Sequence, residues 1–223
     1  IGAVIADELQ VLGDPERSAA LDLEDMPAVL WLGFTVHGNE ASGANAVPRI
    51  VHALATAEGS SIDEQLRNVV IIVDPCINPD GYDRFAGWVN GNRGIQPVAD
   101  PATREHNEVW PGGRGNHYWF DLNRDYLFLQ HPETKGRVSA FYRWRPNIVT
   151  DHHEMDAGST FFFQPGVQKR NNPLTPPAIH QLTAEIGTYH EKYLNSIGSL
   201  YYTEESFDDY YVGKGSSYPD IHG

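Results

Sequence analysis

The chain has 223 residues, 40% of them hydrophobic, and carries a formal charge of −14 with a single cysteine. That length and apolar share suffice for one domain with a substantial core, and no apolar run approaches the ~18 residues that would span a bilayer. The acidic balance disfavours nucleic acid and anionic membranes, whose phosphates would repel it, and a lone cysteine excludes an intrachain disulfide.

The chain opens in Ile1-Gly2-Ala3-Val4-Ile5 with no Lys- or Arg-led apolar signal segment, which reads as a processed or cut start. Ala28–Val36 is the first apolar run. It is short and lacks clean alternation, the pattern of a strand buried on both faces of a parallel sheet. His37-Gly38-Asn39-Glu40 follows at once. An imidazole and a carboxylate at this spacing, where a strand gives way to a turn, can both reach one metal ion. Zn²⁺ is the usual occupant of mixed nitrogen and oxygen sites that keep a position open for water. The same pair also arises by chance, so only its context can give it meaning.

Ala44 to Ala57 carries Val47, Ile50, Val51 and Leu54 at helical spacing, and Val69–Val73 reads as a second buried strand. Cys76 beyond it suits a buried, inert thiol. From Asn78 to Asn123 the pattern lapses into Gly, Pro and Asn, as in Asn78-Pro79-Asp80-Gly81 and Pro111-Gly112-Gly113-Arg114-Gly115. A loop region of that length in a compact domain is usually functional. Asp121-Leu122-Asn123-Arg124 closes it. Arg124 can fork two hydrogen bonds onto a carboxylate, Asn123 can add a donor, and Asp121 can accept the free ring N–H of a metal-bound histidine.

Pro132–Trp144 is helical in pattern, with Val138, Phe141 and Tyr142, and Asn147–Thr150 is the third strand. Asp151-His152-His153-Glu154 stands at its end. Neighbours along a strand point to opposite faces, so one of the two histidines is expected in the site; His153 is preferred and His152 is the alternative. Pro176 to Leu200 is the longest helix candidate, with Ile179, Leu182, Ile186, Tyr189, Tyr193 and Leu194 as one apolar stripe. Its His180 and His190 read as surface or partly packed residues. Strands alternating with helices imply an α/β sheet covered on both faces, with sites beyond the carboxyl ends of its strands.

In this order, His37–Glu40, Asn78–Gly81, Asp121–Arg124 and Asp151–His153 resemble the motifs of the zinc carboxypeptidase family. The resemblance implies a single catalytic domain over residues 1–223, folded as a three-layer α/β/α sandwich around a mixed, mostly parallel, eight-stranded sheet. It implies one zinc ion held by His37, Glu40 and His153, and a peptide or amino-acid-derivative substrate whose free carboxylate is clamped by Asn123 and Arg124. Arg114 resembles the arginine that polarises the scissile carbonyl, although it stands nearer to Asn123 than in pancreatic-type members. Tyr210, ahead of Gly213-Lys214-Gly215-Ser216, fits the family's loop tyrosine best, with Tyr211 close by. A secreted or periplasmic location is slightly favoured by the same resemblance.

The family's general base is a glutamate on a late strand after the Gly-Ser segment, and the chain given stops at Gly223 before any such strand. The expectation is a domain incomplete at both ends, with the base beyond Gly223; Glu154 is the alternative base within the chain. His-Gly-Asn-Glu and Asp-Leu-Asn-Arg also resemble the zinc deacylases of N-acyl amino acids, the aspartoacylase and succinylglutamate desuccinylase group, from which the long interval between His37 and Asn123 departs. A catalytically inactive, zinc-containing peptide-binding module is a third reading. Ser216 and Ser217 are expected in the wall of a specificity pocket. Asp208 and Asp209 suit either basic substrates or, more simply, a solvated acidic loop. Nothing in the sequence bears on oligomeric state.

Overall fold

The computed structural model describes residues 9, 11–19, 26–57, 59, 61–156, 158–207 and 209–222, so the opening residues 1–5, Asp208 and Gly223 lie outside the described residues. The chain divides into two compact units, one of residues 1–122 and 129–153, the other of residues 123–128 and 154–223.

Early in the first unit a single helical turn, α1 (Pro15–Ser18), is started by Asp14, whose carboxylate accepts the amides of Glu16 and Arg17. Three parallel strands follow along the chain, β1 (Ala28–Phe34), β2 (Val69–Asp74) and β3 (Ile148–His152), in the sheet order β2-β1-β3. The α/β expectation is met at this level, in a mostly parallel sheet. β1 takes the middle place and buries Val29, Trp31 and Phe34, as its unbroken apolar sequence requires. Leu30 lies opposite Ile71 on one side and Ile148 on the other.

Between β1 and β2 run α2 (Ser42–Ala55) and α3 (Ser61–Leu66). α2 carries Pro48 internally and buries Val47. The interval Asn78–Asn123, expected to be loop, is not wholly so: α4 covers Pro79–Asn92. Asn78 caps it by accepting the Gly81 amide, and Pro79 occupies the first turn, where a missing N–H costs nothing. Tyr82, Phe85, Trp88 and Val89 supply its apolar recurrence, with the Phe85 and Trp88 rings 5.9 Å apart. The glycines and the Asn-Pro-Asp-Gly turn signature hid that pattern. α5 (Pro132–Trp144) matches its expected span and leads into β3.

Beyond the sheet the chain segments after β1 and β2 stay paired. Ile77 and Asn78 donate their amides to the carbonyls of Phe34 and Thr35 at 2.9 and 3.1 Å. Val36, Ile77 and Leu122 are buried together there. This pairing delivers His37 and Asn78 side by side at the carboxyl edge.

In the second unit β4 (Phe161–Phe162) pairs in parallel with β5 (Tyr201–Tyr202), and Phe162 packs its ring 5.3 Å from Tyr202 and 4.4 Å from Phe207. α6 (Pro177–Ser196) joins the two strands, and α7 (Ser217–Asp220) follows. The apolar stripe expected on α6 is only partly covered. Leu194 is buried, whereas Leu182, Tyr189 and Tyr193 are exposed. His180 meets the Asn171 amide at 3.0 Å and His190 lies beside Phe163. No helix among the described residues is long and apolar enough to cross a membrane. Cys76 is half-buried, and burial pushes its thiol pKa up, which suits an inert role.

Candidate metal centre

The turn after β1 is built so that His37 points inward. Thr35 takes a positive φ of 58°. Its hydroxyl donates to the Glu40 carbonyl at 3.0 Å and accepts the Ala44 amide at 3.1 Å, which joins the turn to the first turn of α2. Gly38 passes so close to α4 that an added Cβ would lie 2.1 Å from Gly81 and Tyr82 backbone atoms. Only glycine fits there.

His37, Glu40 and His153 each offer one ligand atom, and these atoms all lie within 4.8 Å of one another. Glu40 joins the two imidazoles, with Oε1 2.7 Å from His37 Nδ1 and Oε2 2.9 Å from His153 Nδ1. The far nitrogens are held too. His37 Nε2 meets Asp121 Oδ1 at 3.0 Å, and His153 Nε2 meets Asp151 Oδ2 at 3.0 Å. Two nitrogens and a carboxylate, with each imidazole oriented from behind by another carboxylate, form the donor chemistry of a catalytic zinc site. The residues present therefore fit Zn²⁺.

The electrostatics follow from this packing. Burial pulls the His153 imidazole towards its neutral form, but Asp151 and Glu40 outweigh it and push the pKa up to about 10. His37 is raised for the same reason, burial being overcome by Asp121 and Glu40. Burial alone would raise Glu40, yet its bonds to His153 and His37 hold it far below the usual carboxylate range. Asp151 is likewise lowered against its burial, by His153 and Arg137. Without a metal, protons on the two imidazoles keep the carboxylates paired. Arg114 stands alongside, its Nε and Nη2 forked onto Asp121 Oδ2 at 3.2 and 3.0 Å, and its Nη1 3.4 Å from His37 Nδ1 and 3.7 Å from Glu40 Oε1.

His152 takes a different place. It ends β3 opposite Phe34, stacks on that ring at 4.4 Å, and brings Nε2 to 2.9 Å from the Thr150 hydroxyl. It is not one of the three clustered donors.

Asn123, Arg124, Glu154 and Tyr210 belong to the second unit. There Asn123 is buried and accepts the Gly215 amide at 2.7 Å, while Arg124 is exposed and donates Nη1–H to the Asn123 carbonyl at 2.7 Å. Tyr210 is exposed. Tyr211 donates its hydroxyl to the Arg124 carbonyl at 2.9 Å, and Gly213 lies tight against its ring. Glu154 is exposed. Asp209, read from sequence as part of a solvated acidic loop, is instead only 5% exposed. It accepts the hydroxyls of Ser216 and Ser217 at 3.1 and 2.9 Å, with Lys214 Nζ 3.8 Å away. Those serine hydroxyls are turned to an internal carboxylate.

Three residues have positioning roles that the sequence does not assign: Asp151 and Asn78, which stand in its motifs, and Arg84, which does not. Asp151 stands two positions before His153, a spacing that puts residues on one side of an extended chain, and that is the local signal for it. Asn78, fully buried, donates to the carbonyls of Val36 and Arg114 at 3.2 and 3.1 Å while capping α4, so it ties β1, α4 and the Arg114 loop together. Arg84 donates to the carbonyls of Gly112, Gly115 and Asn116 at 3.0, 3.2 and 3.0 Å and gives that loop its shape. No local pattern marks a long-range bond of that kind.

Residues 16–172 match the family described as zinc carboxypeptidase. The "Probable carboxypeptidase 2" of Trichophyton verrucosum is 30% identical over 132 residues, 59% of this chain and 20% of that protein, and the protein of the same name from Arthroderma benhamiae matches to the same extent. The "Carboxypeptidase 2" of Trichophyton rubrum is 30% identical over 132 residues, 59% of this chain and 19% of its own length. The matching segment thus spans about a fifth of the length of these relatives. The family match takes in His37, Glu40, Arg114, Asp121 to Arg124 and His153, and ends before Tyr210.

Proposed function

The chain belongs to the zinc carboxypeptidase family of metallopeptidase hydrolases, and from that premise we propose that it forms part of a zinc-dependent hydrolase cleaving the C-terminal amino acid from a peptide. The observation that carries the reading is the clustering of His37, Glu40 and His153 with Asp121 and Asp151 behind the two imidazoles. Zinc, held by those three side chains, supplies Lewis acidity towards a carbonyl and a water.

The remaining work falls to the chain. Asp121 and Asp151 accept the outer ring N–H groups of His37 and His153, which fixes their tautomers and leaves Nδ1 of each for the metal. Arg114 is braced on Asp121 and directs Nη1 towards the donor cluster, where a guanidinium can stabilise negative charge developing on a carbonyl oxygen. By the family resemblance Asn123 and Arg124 are assigned the substrate's free carboxylate, Arg124 through its fork of donors, and Tyr210 a substrate contact. The parallel strands β1 to β3 belong, in this reading, to the larger mixed sheet of an α/β/α sandwich.

Zinc-reconstituted protein, offered a blocked dipeptide with a free C-terminus and, separately, an N-acetyl amino acid, tests the assignment. Faster release of the C-terminal residue from the peptide supports it. Preferential hydrolysis of the N-acetyl amino acid would move the protein to the deacylases. Peptide binding by the zinc-loaded protein without turnover of either substrate would make it a binding module.

A further inference from the structure

Four large aromatic side chains stand exposed on one loop of the first unit: Trp110 at 77%, Tyr118 at 64%, Trp119 at 57% and Phe120 at 58%. Exposure of that kind commonly marks a recognition surface. The loop beneath them is built rigidly. Buried Asn116 accepts the amides of Tyr118 and Phe120 at 3.0 and 3.1 Å, on either side of Trp119, which is held at a φ of 67°. A Cβ on Gly115 would come within 2.6 Å of the Trp119 backbone, so the loop folds back on itself with no room to spare. Glu108 adds a brace, accepting the Gly113 amide and the Asn39 side chain, and Arg84 holds three of the loop's carbonyls. A non-glycine residue in the left-handed region, held by such a frame, is a feature of ligand clamps.

Beside this frame lies a half-open cleft of about 150 Å³, lined by Trp110, Pro111 and Trp119 together with two glycines, Arg114 and Asp121. The two indoles that line it pack against each other, with ring centroids 5.3 Å apart and a 57° tilt, and together form one aromatic wall. That volume matches the space one benzene ring occupies, although here the wall joins the indoles to Arg114 and Asp121. Its inner wall is also part of the metal centre's frame. Asp121 bonds His37 Nε2 at 3.0 Å, and Arg114 lies 3.7 Å from Glu40. A side chain in this cavity is thus separated from the donor cluster by one guanidinium.

We propose that Trp110, Pro111 and Trp119 form a subsite for an aromatic side chain of the peptide substrate, at a residue next to the scissile bond, with branched aliphatic side chains as poorer occupants. The inference rests on the hydrolase reading for the identity of its ligand, and it assigns the selectivity of that ligand. Contact with the exposed faces of this indole pair favours a ring over an equally bulky aliphatic group. The cavity also lacks a carboxylate free to welcome a basic side chain, since Asp121 is engaged by both Arg114 and His37.

The test uses zinc-loaded protein with its indoles labelled for NMR, titrated with a Phe-containing blocked tripeptide and with the same peptide carrying Ala in place of Phe, while hydrolysis is followed in the same samples. The indole N–H resonances of Trp110 and Trp119 are expected to move with the Phe peptide at concentrations at least about tenfold below those needed for the Ala peptide, and W110A or W119A should reduce that ratio towards one. W119F, which keeps a ring, should retain most of it. Equal response to the two peptides, no response at these two indoles, or a ratio unchanged by W110A and W119A would overturn the subsite. Absence of hydrolysis with selective indole shifts would count against the hydrolase reading and leave the aromatic subsite supported.

Discussion

Asp151 places its carboxylate 3.0 Å from Nε2 of His153, with its own side chain only 5% exposed. The two are separated by one residue, Asp151 within β3 and His153 just past its end, so the end of this strand delivers a donor and the group that orients it together. Replacing that carboxylate with an amide keeps the shape and removes the charge that holds the imidazole. Asp151→Asn is expected to weaken zinc binding about 10- to 100-fold in a chelator competition. Unchanged affinity would mean that Asp151 serves packing alone.

The same charges make a prediction about pH in the metal-free protein. His153 has a folded pKa of about 10, above its ordinary value of 6.5, and His37 is shifted in the same direction. A group raised on folding stabilises fully below its unfolded pKa and loses that contribution as pH climbs through the folded value. Glu40 and Asp151 are lowered, so their contributions are present above their ordinary values and fall away only in acid. Thermal unfolding of chelator-treated protein should therefore be steady near pH 5–6.5 and decline from about pH 6.5 towards 10. In His153→Gln that alkaline decline should be shallower. A wild-type midpoint that rises through the alkaline range would contradict the assigned charges.

Arg114 is forked onto Asp121 and reaches towards Glu40. If it stabilises charge that develops only during reaction, Arg114→Gln should lower kcat by about 10²- to 10³-fold, leave KM within a few-fold and leave zinc content intact. A rise in KM with unchanged kcat would make it a simple binding residue.

Asn78 is fully buried and makes bonds to three separate segments. Asn78→Ala removes a helix cap and strands two carbonyls, at a cost of about 2–4 kcal/mol in urea unfolding. Asn78→Asp keeps the acceptor for Gly81 and loses the donors to Val36 and Arg114. It should recover part of the stability and still lower activity through the Arg114 loop. Equal stability of the two variants would show that the cap alone matters.

The legible parts of the fold are those written in contiguous residues. β1, β2 and β3 are unbroken apolar runs, and Pro132–Trp144 has a helical period with a proline at its start, so each emerged within a few residues of its expected limits. His37 and Glu40 were legible because they stand together in the turn that follows the end of β1. α4 was not, because its cap sequence Asn78-Pro79-Asp80-Gly81 is also a turn signature and its glycines dilute the period. Asp209 was misjudged because an acidic residue in a polar stretch looks solvated until the hydroxyls of Ser216 and Ser217 are found against it. Arg84 shapes the Arg114 loop through bonds to Gly112, Gly115 and Asn116 that close only in three dimensions. Leu182, Tyr189 and Tyr193 show the converse, a clean helical stripe that remains exposed.

The central claim is that His37, Glu40 and His153 hold one zinc ion while the adjacent His152 does not. Metal content by mass spectrometry, measured alongside peptide hydrolysis in His153→Gln and His152→Gln, tests it most directly. The account predicts about one zinc per chain in His152→Gln, as in the parent protein, and loss of both zinc and hydrolysis in His153→Gln. Zinc retained by His153→Gln and lost from His152→Gln would contradict it.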